Sequence, residues 1–227
     1  MKEVRQKMND NIMNFYMYTN ILKNKLRTGW LEIEISKDRV ESISEHVYGT
    51  LMLALIIDSE YKLDIDMLKV LKMLSLHELE EILMPDYTIR SNITLDEKRK
   101  KGRMCVENLV SDLRKKDEII SLLDEFNERK SKEAKFCYMI DKIECDFQAK
   151  LYDLEGVMDF EKSKEDLEYY GDRKEEINNN SKCASDFWIE YDRTRYQDDE
   201  IFKSLIEDIK NIDTNKYKKI MEEENIC

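Results

Sequence analysis

The sequence predicts an all-α fold, and three observations carry that prediction. Its 227 residues include 5 Gly and 1 Pro, where these two types together usually make up about 12% of a chain. Sheets and barrels need turn residues every 8–12 positions or so, so an all-β fold is excluded and a parallel α/β fold is poorly served. Three stretches, 42–60, 64–83 and 131–154, carry apolar residues at the helical period of about 3.6. Hydrophobic residues form 41% of the chain, enough for a core, and the length fits one domain.

The first 26 residues read as a helix through Val4, Met8, Ile12, Phe15, Ile21, Leu22 and Leu26, broken by Arg27-Thr28-Gly29-Trp30. After a connector over 31–41, Ser42 and Glu45 have the spacing of a capping box and open a helix to about residue 60. Its expected buried face is Ile43, Val47, Leu51, Ala54 and Leu55. Asp64 opens a helix over 64–83, dense in Leu68, Val70, Leu71, Leu74 and Leu76, which is expected to be nearly surrounded and to end before Pro85. Residues 95–116 and 117–128 read as two peripheral helices rich in Lys and Glu. The period returns strongly over 131–154 through Phe136, Ile140, Ile143, Phe147 and Leu151. Residues 155–182, with Gly156, Gly171 and Asn178 to Asn180, read as loop-rich. Helices over 183–194 and 198–224 close the chain, their Lys/Glu runs expected on solvated faces.

The net charge of −12 disfavours a nucleic-acid polymer as ligand, because binding one means neutralising phosphates with a basic face. It does not bar a small anion, since a bound cation reverses the local sign. No run approaches the 18 or so apolar residues of a membrane span, and the N-terminal Met-Lys-Glu-Val-Arg-Gln has no signal-peptide core. Cys105, Cys137, Cys145, Cys183 and Cys227 contain no CxxC pair and are odd in number. Neither disulfides nor a cysteine zinc site is expected, and a cytoplasmic protein with reduced thiols is the simplest expectation.

The only two histidines, His46 and His77, fall within apolar helical stretches. On a continuous helix Glu81 would stand nearly above His77, with Glu78 turned away from it by about 100°. Two readings of Glu78, Glu80 and Glu81 stand: the helix reaches the surface there, or something compensates buried charge. Asp141, midway along 131–154, also has two readings. It pairs with Lys142 or a base one turn away, or it faces a cation. A His on one helix, His-Glu on a second and Asp on a third is what a divalent-metal site inside a bundle needs. Imidazoles supply nitrogen, carboxylates offset the dication, and the mixed set suits Mn, Fe, Co, Ni or Zn.

His46…His77-Glu78…Asp141 resembles the His…His-Asp…Asp signature of the HD superfamily of metal-dependent phosphohydrolases, with Glu in place of the first Asp. Arg27 to Trp30, Glu41 to His46, His77 to Glu81, Asp86-Tyr87-Thr88 and Glu133-Ala134-Lys135-Phe136…Asp141 are similar, in order over residues 20–155, to the 5′-deoxynucleotidase branch. The resemblance implies a single HD-type helical domain over 1–227, with a metal-site core at about 20–155 and C-terminal helices at about 183–224 packed on it. It implies His46, His77, Glu78 and Asp141 as ligands of one divalent transition metal. Glu81 then positions or deprotonates the attacking water, Asp86 faces the sugar, and Trp30 and Glu125 lie near the substrate. Arg27 and Arg39 are candidate partners of the phosphate. Taken alone, Arg39 reads equally as a solvated loop charge and Trp30 as core.

The implied activity is hydrolysis of deoxynucleoside 5′-monophosphates to nucleoside and phosphate, by a homodimer. Glu78 adds about 1.5 Å of reach over Asp, and Pro85 replaces the family's Gly before Asp86 and fixes φ there. Two alternatives stand beside this reading: the same chemistry on another nucleotide or small phosphoester, and a nucleotide-binding regulator whose catalysis Glu78 has weakened.

Overall fold

Helices carry the chain from end to end in the computed structural model, which describes residues 2–223. They are α1 (Lys2–Thr19), α2 (Thr28–Glu32), α3 (Ile43–Tyr61), α4 (Met67–Leu76), α5 (Leu95–Val110), α6 (Lys116–Glu128), α7 (Lys132–Leu154), α8 (Phe160–Ser163), α9 (Lys174–Asn180), α10 (Ala184–Asp192), α11 (Glu200–Lys210) and α12 (Thr214–Glu223). Short 3₁₀ segments join several of them. The last positions of the helix expected over 198–224 lie outside the described residues; within them it is interrupted between Lys210 and Thr214. The chain divides into two compact units, residues 1–28 with 41–140 and residues 29–40 with 141–227.

In the first unit, α3 begins where the capping box predicts. Ser42 Oγ accepts from Glu45 N at 3.3 Å, and Glu45 Oε2 accepts from Ser42 N at 2.7 Å. An antiparallel bridge between Leu26 and Ser42 ties the entry of α3 to the preceding chain, with Ile43 N donating to Lys25 O at 2.8 Å and Arg27 N donating to Glu41 O at 2.9 Å. The buried line of α3 is Ile43, His46, Thr50, Ala54 and Ile57; it shares Ile43 and Ala54 with the expected face, while Val47 and Leu51 are half-buried and Leu55 is exposed. Two polar residues hold core positions that apolar periodicity does not count. Thr50 satisfies its hydroxyl on Val47 O at 2.7 Å.

The helix expected over 64–83 is shorter and broken. Asp66, not Asp64, caps α4, and the helix stops at Leu76 with Val70, Met73 and Leu74 buried and Leu68 exposed. A 3₁₀ turn, Leu79–Ile82, follows, in which Glu81 N and Leu83 N bond back to Glu78 O and Glu80 O. The helices at 95–110 and 116–128 are not peripheral. Val106, Val110 and Leu123 join Leu22, Ile43, Leu79 and Ile82 in one buried cluster, so the Lys and Glu residues cover only the outer faces.

In the second unit, residues 155–182 are mostly helical turns rather than loop, with breaks at Gly156 (φ 73°) and Gly171 (φ 57°), a region that glycine enters without steric cost. Tyr170, Ile177 and Phe187 form its apolar centre, with Phe160, Leu167 and Tyr191 against them. Trp30 is 1% exposed, its ring 4.4 Å from Trp188 and edge-on to Tyr152 at 5.3 Å. A buried polar group lies beside this centre. Tyr196 O–H donates to Asp146 Oδ2 at 2.7 Å, and Arg195 Nε donates to Asp192 Oδ1 at 2.5 Å.

Candidate metal centre

His46 stands one turn into α3 and is 0% exposed; His77 closes α4 and is almost as buried. The Nδ1 of His77 lies 2.7 Å from Leu74 O. A carbonyl only accepts, so Nδ1 carries the proton and the lone pair of Nε2 points the other way. That lone pair faces His46 Nε2 at 3.3 Å. Glu78 Oε1 stands 3.6 Å from each of the two Nε2 atoms.

The break after Leu76 makes this possible. Glu78 has φ −109° and ψ 15°, off the helical basin, so it is not turned away from His77 as it would be on a continuous helix. Three atoms separated by 3.3, 3.6 and 3.6 Å lie on a circle of radius about 2.0 Å, the bond length of imidazole nitrogen or carboxylate oxygen to a zinc-sized ion. The donor set thus fits a divalent transition metal in both reach and chemistry. Asp141 follows Ile140 on α7 and falls in the second unit. Its Oδ2 pairs with Lys142 Nζ at 2.9 Å, the first of its two readings.

Cations and a second carboxylate surround the three atoms of the first unit. Arg27 Nη1 donates to Glu78 Oε1 at 3.1 Å. Glu81 is 1% exposed, with Oε2 buried and without a hydrogen-bond partner, and its Oε1 lies 4.0 Å from Lys98 Nζ. Burial first, then the neighbouring carboxylates of Glu78 and Asp86, hold the Glu81 carboxyl well above the usual carboxylate range; Lys98 and Arg27 pull it down. Asp86 is buried and its Oδ2 accepts from Thr28 N at 2.7 Å, so Pro85 leaves it anchored. Lys25 Nζ donates to the carbonyls of Glu81 and Met84 and ties off the 3₁₀ turn.

Residues 19–185 match the family model described as HD domain. The chain belongs to the HD domain family. Among curated proteins, the 5′-deoxynucleotidase HDDC2 of Danio rerio is 34% identical over 152 residues, 65% of this chain and 72% of the relative. The protein of the same name from Dictyostelium discoideum is 29% identical over 150 residues, 63% of this chain and 78% of its own. Among solved structures, a conserved hypothetical protein from Pyrococcus furiosus has a TM-score of 0.62 at 19% identity, covering 88% of this chain and 99% of that one. A predicted metal-dependent phosphohydrolase from Magnetospirillum magnetotacticum MS-1 has 0.60 at 17%, covering 88% and 89%. These two structural likenesses concern the fold.

In this HD-domain chain three further candidates have these surroundings. Glu125 pairs with Lys69 Nζ at 2.5 Å. Arg39 is exposed, and Trp30 is enclosed by the aromatic rings of the second unit. The sequence analysis misses Lys25 and Lys98. Lys25 is one of three alternating bases, Lys23, Lys25 and Arg27, with nothing to single it out, and Lys98 is hidden in the run Lys98-Arg99-Lys100-Lys101, which reads as a solvated face.

Proposed function

We propose that this HD-domain protein is a metal-dependent phosphomonoesterase that hydrolyses deoxynucleoside 5′-monophosphates to nucleoside and phosphate. The observation that carries the reading is the triangle of His46, His77 and Glu78 atoms with a radius suited to a bound divalent ion. The name 5′-deoxynucleotidase borne by the curated relatives supports the substrate class.

In this reading His46, His77, Glu78 and Asp141 hold one divalent transition metal from the set Mn, Co, Fe, Ni or Zn. When bound, such an ion draws in the phosphoryl group and makes a water more acidic. Glu81 takes a proton from the attacking water as the new O–P bond forms. The P–O bond to the nucleoside breaks with its electron pair on the 5′ oxygen, which takes the proton from the Glu81 carboxyl and leaves Glu81 ionised again. A desolvated carboxyl whose proton affinity is raised suits that transfer. Asp86, fixed by Thr28 N, faces the sugar, and Arg27 shares its charge between Glu78 and the phosphate. Trp30, Arg39 and Glu125 are further substrate contacts in this reading, Glu125 by exchanging Lys69 for the ligand.

The whole of 1–227 then works as one HD-type domain, an organisation supported by a family match that spans parts of both units. We assign it to the cytoplasm as a homodimer. Exposed apolar side chains on α1 (Val4, Ile12, Met13, Met17) and α3 (Tyr48, Met52, Ile56) support a partner for the first unit, since clustered apolar exposure marks interaction surfaces. Against the regulator alternative, we favour catalysis because Glu78 brings its oxygen within 3.6 Å of both imidazoles.

The test is a phosphate-release screen over ribo- and deoxynucleoside monophosphates with Mn, Co, Ni, Zn and Mg in turn. Release from deoxynucleoside 5′-monophosphates with at least one transition metal is expected. Release only from other phosphoesters would move the substrate assignment, and no release with any metal would overturn the reading.

A further inference from the structure

A phosphate dianion entering this site meets the carboxylates of Glu78, Glu81 and Asp86, so it needs cations with free donors. In the first unit, Lys25 spends its ammonium on the carbonyls of Glu81 and Met84. Arg27 gives one of its five donors to Glu78 and so shares its charge with that carboxylate. Lys98 differs from both. Its Nζ stands 4.0 Å from Glu81 Oε1, beyond hydrogen-bond length, and among the described residues its three N–H donors make no hydrogen bond. Its side chain is 32% exposed while that of Glu81 is 1% exposed, which sets the ammonium between solvent and the buried carboxylate.

The position is built, not incidental. Thr94 and Glu97 form a capping box that fixes the first turn of α5, where Lys98 sits. One turn on, Gly102 lets α5 approach the Leu79–Ile82 turn closely. A Cβ there would stand 3.4 Å from Glu80 Cγ, at the limit of ordinary contact. Residues four apart share a helix face, so Gly102 seats the helix and Lys98 reaches over Glu81 from the same face.

We propose that Lys98 is a substrate-binding residue whose ammonium receives the phosphoryl oxygens of the nucleotide. The inference rests on the phosphomonoesterase reading and extends it. A terminal phosphoryl group presents three acceptor oxygens, and an ammonium offers three rotatable donors as a compact point charge. Binding there also sets the phosphoryl group beside Glu81, which must face the attacking water.

The probe is inorganic phosphate, titrated calorimetrically into the metal-loaded protein, alongside KM and kcat on deoxynucleoside monophosphates. Lys98→Met should weaken phosphate binding by about 10-fold or more, the scale of a hydrogen bond to a charged group, and raise KM more than it lowers kcat. Lys98→Arg should restore part of the affinity. Lys100→Met, exposed and on another side of α5, should match wild type. Melting curves confirm folding, and Lys98→Gln replaces the Met variant if that one is unstable. Unchanged phosphate affinity in a folded Lys98 variant overturns the inference, whatever happens to kcat. A wild type that releases no phosphate from any nucleotide, yet binds orthophosphate through Lys98, would sink the proposed activity and keep this inference.

Discussion

The Nε2 atoms of His46 and His77 face each other across 3.3 Å, although the two residues lie 31 positions apart on successive helices. Neither imidazole is exposed, and the proton of His77 is committed to Leu74 O. Two buried ring nitrogens aimed at one point, with a carboxylate oxygen 3.6 Å from each, form a set of lone pairs that a cation satisfies in common.

That arrangement makes a first prediction about residue 78. Glu78→Asp would restore the family's usual residue, yet it withdraws the oxygen by about 1.5 Å from a position matched to both histidines. It also pulls away from Arg27 Nη1. Metal affinity should fall at least about tenfold, a scale on which even outer-shell partners act, and phosphate release should fall with it. A metal titration of the two proteins decides the matter; tighter binding by the Asp variant would mean that the longer side chain is a handicap.

Glu81 should matter for turnover rather than for holding the metal. Glu81→Gln keeps shape and reach while removing the basic oxygen, so metal content should persist while kcat drops by about 10²–10⁴, the usual worth of a general base. Glu80→Gln, on the neighbouring position of the 3₁₀ turn, should stay within a few-fold of wild type. If the Glu81 variant loses the metal instead, Glu81 is a ligand and its assigned role is wrong.

The chain entry to α3 should be a stability determinant. Ser42→Ala removes the acceptor for Glu45 N at a buried cap. Denaturant unfolding should show a loss of about 0.5–2 kcal/mol, and His46, one turn inside the same helix, should bind metal less tightly. A variant with wild-type stability would show that the Leu26–Ser42 bridge alone fixes the helix start.

These residues also mark how far the sequence is legible. The Ser42–Glu45 cap reads directly, because a cap is a local exchange between residues three apart. The buried seam of α3 does not, because His46 and Thr50 occupy core positions and apolar periodicity counts neither. Over 64–83 the helical period runs unbroken through a real break, since a single 3₁₀ turn barely shifts which side chains are apolar. The closure of that break comes from Lys25, far away in the chain. Likewise the four candidate ligands are readable as residue types in order. The lysines near Glu81 are not, because a lysine that faces a site and one that faces water look alike in sequence.

The buried polar group of the second unit supplies a pH dependence. Burial first, and then the Asp192 carboxylate, push the Asp146 carboxyl well above its usual range, against the Tyr196 hydrogen bond and the charges of Arg195 and Lys142. A carboxyl raised in the folded state contributes its full stability below the unfolded value of about 3.9 and loses it as pH rises through the folded value. Asp146→Asn cannot ionise, so its Tm relative to wild type should rise as pH increases above about 4. A Tm difference that stays constant with pH would show that Asp146 titrates normally.

The central claim is that a divalent metal held around His77 drives phosphate release. It is tested most directly by stripping the protein with a chelator and measuring phosphate liberated from deoxyadenosine 5′-monophosphate before and after a transition metal is returned. Stripping should abolish release, returned metal should restore it in wild type, and His77→Ala should not recover. Full release by the stripped protein, or recovery by the His77→Ala variant equal to wild type, would contradict it.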